Sequence, residues 1–206
     1  MKQARSFNFE IHAENNERYG NFITGRPIVL DAVTDLGMFT EEIARGALDR
    51  TNLKDVRFLI NHNVDMIPLA RSRNNTENST MQFTIDNEGM LIRVNLDTEN
   101  NSDARSLYSA ISRGDISGMS FMFDIDGEEW RDLDTDKPHR IITSIANVYE
   151  VSAVTFPAYE QTEIDVESRD NRSALDNAKR ALDNAKKREE NTKLLNRLIE
   201  ARRKEL

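Results

Sequence analysis

Cysteine is absent from the 206 residues, and with it go disulfides, thiolate nucleophiles and cysteine-ligated zinc. That composition suits a reducing cytoplasm and leaves covalent catalysis to Ser, Thr, Lys or a carboxylate. Long apolar runs are missing too: no segment approaches the ~20 apolar residues a membrane helix needs, so no membrane partner is expected. The first residues carry charge without a following apolar stretch, and no export signal is expected. Histidine is scarce, with three in the chain, so a general base has few candidates. Glycine and proline number 8 and 4, and neither occurs beyond Pro157. The stretch after about Thr162 can therefore run as one helix. No Gly-x-Ser-x-Gly elbow is present, which removes support for an α/β-hydrolase.

What is present is uneven in charge. Residues 166–206 hold 12 Lys and Arg against 8 Asp and Glu, whereas residues 1–165 hold 16 against 28. An acidic body repels phosphate backbones, so nucleic-acid binding through the main domain is not expected; the cationic tail suits an acidic partner. Up to about residue 165 the pattern is short alternating strands between turn residues, mainly β with a few helices, an α+β class. Phe7–Ile11 and Met81–Ile85 alternate cleanly, and Asn87-Glu88-Gly89 before Met90–Val94 predicts a hairpin return. Phe39–Arg50 and Ser102–Arg113 predict short helices. Asp124–Pro138 predicts an acidic surface hairpin. Its Asp132-x-Asp134-x-Asp136 is followed by Lys137-Pro138 rather than glycine, which fails the calcium-loop pattern, and no metal site is expected. In the tail, Ala174–Arg180 is repeated as Ala181–Lys187, a seven-residue period whose Leu175, Ala178, Leu182 and Ala185 make a narrow apolar seam. Leu194, Leu195, Leu198 and Ile199 resume it, either within a charged, solvated helix that touches partners transiently or as a seam that docks on the body or on a second copy of the chain.

Three residues stand out as candidates for chemistry. His62 ends Val56-Arg57-Phe58-Leu59-Ile60-Asn61-His62, where Val56, Phe58 and Ile60 share its strand parity; a strand-end histidine is often a structural hydrogen-bonder, but His12 and His139 lie in polar, exposed-looking stretches. Ser120 follows the Gly114–Gly118 turn and faces away from the apolar row Met119, Phe121 and Phe123, as an accessible nucleophile must, although an ordinary strand serine has the same look. Ser117 falls in the turn. Glu150 interrupts Ile145–Phe156, apolar on both parities. A carboxylate in a strand buried on both faces is costly unless a histidine or arginine meets it, in a structural ion pair or in a site.

Five blocks, in order, resemble the prohead proteases of tailed bacteriophages of the HK97 type, over most of residues 5–165. They are Gly25–Asp31, Phe39–Ala47, Leu59–Asn63 with Ile67–Arg71, Gly114–Phe123, and Glu150–Tyr159. The family looks related in fold to herpesvirus assembly proteases, which implies a β-barrel wrapped by helices; the helical tail expected at 166–206 lies outside the resemblance and is read from its lack of glycine and proline. Carried across position by position, the resemblance implies His62 as base, Ser120 as nucleophile and Glu150 as the acidic third member of a serine endopeptidase. Leu69-Ala70-Arg71 departs from the usual Leu-Gly-Arg. The implied substrate is the scaffolding protein or the scaffold segment of the major capsid protein, and the protease itself, cut inside the procapsid in the host cytoplasm. No cofactor is implied, since acyl transfer asks only for nucleophile, base, orienter and oxyanion site. For the last, Pro157 fixes φ and lacks an N–H, so the amides of Ala158 and Tyr159 are the candidates. The rival reading is a non-catalytic capsid assembly or scaffolding factor, with the body as a docking module.

Overall fold

A computed structural model of the chain describes residues 2–7, 11–155 and 165–204. Its elements run β1 (Gln3–Phe7), β2 (His12–Asn16), β3 (Gly20–Val29), β4 (Thr34–Asp35), β5 (Thr40–Ile43), β6 (Asp55–Ile60), β7 (Ala70–Arg73), β8 (Met81–Asp86), β9 (Gly89–Asn95), α1 (Ser102–Ser112), β10 (Gly118–Arg131), β11 (His139–Val154) and α2 (Asp165–Lys204). Among the described residues the class is mainly β with two helices, as the alternating pattern predicts. The strands form two sheets, ordered β1-β10-β11-β5-β4 with β6 and β7 joining beside β11, and β2-β3-β9-β8. Neither closes into a barrel among the described residues.

One apolar core lies between the sheets. Ile23 and Ile28 of β3, Ile92 and Val94 of β9, Phe121 and Phe123 of β10, Val151 and Ala153 of β11 and Phe58 of β6 are all buried in it. Helix α1 adds Ala104, Leu107 and Ile111 at helical spacing, and Asn101 caps it by accepting from the backbone N–H groups of Asp103 and Ala104. Each large apolar side chain removed from water there contributes about 1.5–3 kcal/mol, so the β10–β11 hairpin is firmly held from its core side. The predicted β8–β9 hairpin forms in register, Ile85 opposite Met90. Gly89 is required at its turn: at φ +139°, a Cβ would sit 2.0 Å from the carbonyl oxygen of Ile28.

The first of the two expected helices is replaced by other structure. Thr40–Ile43 is a strand running parallel to β11, followed by turns, and not the start of a helix over Phe39–Arg50. Glu, Ala and Arg there favour helix, but burying Phe39 and Ile43 and delivering Glu41 to two arginines decides otherwise. The acidic hairpin exists, yet its arms are the ends of the long β10–β11 ladder, with Arg131 opposite His139. The expected Phe7–Ile11 strand meets the structure only at Phe7, the end of β1, and at Ile11; its middle lies outside the described residues.

Candidate active site

The ladder geometry gathers the candidates. Ser120 on β10 is opposite Ser152 on β11, and Met122 is opposite Glu150, so Ser120, Ser152 and Glu150 share one sheet face while Phe121 and Val151 point into the core. Just before Glu150 the register slips, Phe123 pairing with Val148, so that Tyr149 is an extra residue on β11. Such a bulge re-aims the side chains beyond it. On the other side of β11, β6 runs parallel, Leu59 beside Ser152 and Ile60 beside Ala153. The chain then turns through Asn61 and His62, both left-handed at φ +50° and +56°. It is this turn, rather than the strand parity of β6, that aims His62. Non-glycine residues held there cost on the order of 1–3 kcal/mol each, and the surroundings hold them. The Asn61 amide donates to Thr155 Oγ1 at 3.0 Å and accepts from the Thr155 N–H at 2.9 Å, and the His62 N–H donates to Ser152 Oγ at 3.0 Å.

From that position the imidazole joins the other two. Nδ1 lies 2.5 Å from Glu150 Oε1 and Nε2 lies 2.6 Å from Ser120 Oγ. A carboxylate only accepts, so Nδ1 carries the proton toward it and the Nε2 lone pair is left for Ser120. Glu150 is 2% exposed, and its second oxygen accepts from Ser152 Oγ at 2.5 Å, so neither oxygen is left bare. The arginine-or-histidine requirement set by its burial is met by His62. The His62 side chain itself is 23% exposed, the one opening of this cluster to solvent.

Ser120 lies on the predicted face but is fully buried rather than accessible. Strand β1 pairs with β10 with Ser6 beside Ser120, and the Arg5 carbonyl accepts from Ser120 Oγ at 2.8 Å. One hydroxyl proton thus has two acceptors, the Arg5 carbonyl and His62 Nε2. Ser117 is exposed in the segment before β10, away from this contact. His12 is exposed, whereas His139, expected to be exposed, is half-buried with Nδ1 2.8 Å from Thr40 Oγ1. The amides of Ala158 and Tyr159 lie outside the described residues. Following His62 in the chain, Val64 and Ile67 stand 67% and 83% exposed.

Behind β1 lies a second buried cluster, which the sequence did not disclose. Arg5 binds Glu41 through Nε at 2.5 Å and Nη2 at 2.9 Å, Arg140 binds the same carboxylate at 2.8 Å, and Arg140 also meets Glu128 at 2.5 Å. Burial opposes ionisation of Glu41, but the Arg5 and Arg140 guanidiniums outweigh it and hold the carboxyl below its ordinary range. Asn171 of α2 accepts from Arg5 Nη2 at 3.1 Å, and Leu175 one turn on is buried. No helix among the described residues is long and apolar enough to cross a membrane, and no cluster of potential metal ligands occurs among them.

Comparison with curated proteins and with solved structures returns no match. Comparison with protein families matches residues 7–177 to the Caudovirus prohead serine protease family. The match takes in both strands of the β10–β11 hairpin, the turn that bears His62, and the first turns of α2 with Asn171 and Leu175. With most of its length covered, this chain belongs to the Caudovirus prohead serine protease family, the phage serine proteases of capsid maturation.

Proposed function

We propose that the chain is an endopeptidase of the Ser-His-Glu type, with Ser120 as nucleophile, His62 as general base and acid, and Glu150 as the orienting carboxylate. What supports this is the unbroken line Ser120 Oγ to His62 Nε2 to His62 Nδ1 to Glu150 Oε1, at 2.6 and 2.5 Å. Ser120 Oγ attacks the scissile carbonyl as Nε2 takes its proton, and Nε2 returns that proton to the leaving amine. Water, deprotonated by the same nitrogen, then attacks the acyl carbon, and Nε2 returns that proton to Ser120 Oγ as the ester bond breaks and the acid leaves. Glu150 keeps the imidazole in the productive tautomer and stabilises the imidazolium as it forms. For the oxyanion, the amides of Ala158 and Tyr159 after Pro157 remain the proposed donors.

The substrates, on this reading, are the scaffolding protein or the scaffold segment of the major capsid protein, together with the protease itself, inside the procapsid in the host cytoplasm. Residues 1–165 carry the chemistry, and the cationic tail 166–206 brings the enzyme to its substrate; no cofactor takes part. Co-expression with the phage's major capsid protein, followed by intact-mass analysis of both chains, tests it. Cleavage of the capsid protein by the wild type and not by Ser120→Ala is the expected result, and an uncut capsid protein with both overturns the reading.

A further inference from the structure

We propose that Ser152 is a positioning residue of this site, the group that holds His62 and Glu150 to each other; the proposal rests on the assignment of Ser120, His62 and Glu150 above. Ser152 is fully buried in a strand whose neighbours Val151, Ala153 and Val154 are apolar. Its single oxygen makes two contacts, accepting from the His62 backbone N–H at 3.0 Å and donating to Glu150 Oε2 at 2.5 Å. Each partner needs it. Without that donor, a buried carboxylate oxygen goes unpaired; without that acceptor, the N–H of a residue held at φ +56° does. The bond to Glu150 fixes which way the carboxylate plane faces, and the bond to His62 fixes the turn from which the ring projects. Ser152 therefore sets both ends of the Nδ1 contact while touching neither substrate nor the reacting atoms.

Residue size points the same way. Ser152 sits directly opposite Ser120 in the β10–β11 register, so two small side chains face each other where the imidazole lies across the sheet. An alanine at 152 would leave room but neither hydrogen bond. A role confined to the fold would be served by the His62 N–H contact alone. The second contact, to Glu150 Oε2, ties Ser152 also to the carboxylate that holds the ring.

The test combines rates with a spectroscopic readout on the full chain. Ser152→Ala, and the near-isosteric Ser152→Cys with its weak thiol donor, are compared with wild type for cleavage of co-expressed major capsid protein and for the low-field proton resonance of His62 Nδ1. Both variants are checked for folding by circular dichroism and melting. In a folded variant, cleavage is expected to slow roughly 10–100-fold, the effect of losing a hydrogen bond to a charged group, and the low-field resonance to move upfield or broaden away. Wild-type rate in either folded variant overturns the proposal. So does a slowed rate with an unmoved resonance, which would confine Ser152 to structure. Failure of the wild type to cleave overturns the assignment of Ser120 itself, and the proposal with it.

Discussion

Glu41 and Glu150 lie similarly deep, at 4% and 2% exposure, and are partnered in opposite ways. Glu41 is gripped by two guanidiniums, permanent cations that cannot pass on a proton. Glu150 is gripped by an imidazole and a hydroxyl, one of which can gain and lose a proton, and that imidazole reaches solvent. Burial of a carboxylate does not in itself mark a site. What separates the two is the partner: cations make Glu41 a joint between β1, β5 and β11, while His62 makes Glu150 part of a line that ends on a hydroxyl. The clusters share Arg5, whose side chain serves Glu41 and whose carbonyl serves Ser120.

The largest expected effect is on activity. Ser120→Ala and His62→Ala should each reduce capsid-protein cleavage by ~10⁴-fold or more while melting near the wild type, because each removes a group on which the whole line depends. Ser117→Ala, altering an exposed hydroxyl, should cleave normally; loss of cleavage there with retention in Ser120→Ala would move the nucleophile. The two carboxylates should then respond in crossed fashion. Glu41→Gln leaves Arg5 and Arg140 short of their shared counter-charge and should lose about 3–5 kcal/mol in urea denaturation. Glu150→Gln should fold yet lose most of its activity, retaining more than His62→Ala, because the amide can still touch the ring but no longer fixes its tautomer. A Glu41→Gln protein as stable as wild type would show that the arginine cluster is decorative.

A smaller effect follows from acid. The Glu41 carboxyl is held below its ordinary value of 4.5, so the folded state binds its proton less readily than the unfolded chain. Its contribution is complete above about pH 4.5 and falls away as pH drops through the folded value. Equilibrium denaturation followed downward from pH 5 should show the wild type losing stability faster than Glu41→Gln, whose joint has no such proton to take up. Parallel curves would remove Glu41 as a source of acid sensitivity.

Periodicity carried much of this architecture. The β8–β9 hairpin, α1, the doubly buried β11 and the face of β10 that bears Ser120 were all readable from alternation and turn residues, and Glu150 announced itself as a charge in an apolar run. What was not legible depends on distant partners. Glu41 meets residues 36 and 99 positions away, and nothing local distinguishes it from Glu42 in a helix-forming stretch, so β5 read as helix. Parity shows which way Ser120 points but not that β1 lies across it, and Ser152 looks like any strand serine until His62 arrives from 90 positions away. The left-handed turn at Asn61 and His62 has no composition signature beyond the asparagine itself.

The tail separates the smallest effect from an intermediate one. Asn171 and Leu175 face the body, Leu182 is half-buried, and from Asp183 to Lys193 the residues are exposed, with charged Lys186, Lys187 and Arg188 among them. Truncation after Glu167 removes the acceptor on Arg5 and a buried leucine, and should cost about 2–5 kcal/mol at most, with cleavage impaired in proportion to β1's loosening. Truncation after Arg180 keeps both contacts and ends beyond the family-matched residues 7–177. It should change stability by less than about 1 kcal/mol, since the described residues lost through Lys193 are solvated apart from the half-buried Leu182, and should cleave the capsid protein in solution at the wild-type rate. A cationic helix that gains little from folding alone is suited to meet an acidic partner, so the same protein should be depleted from purified procapsids, as measured by quantitative mass spectrometry against the full chain. Normal incorporation would leave the tail without a recruiting role, and a loss of cleavage in solution would make the whole of α2 part of the catalytic unit.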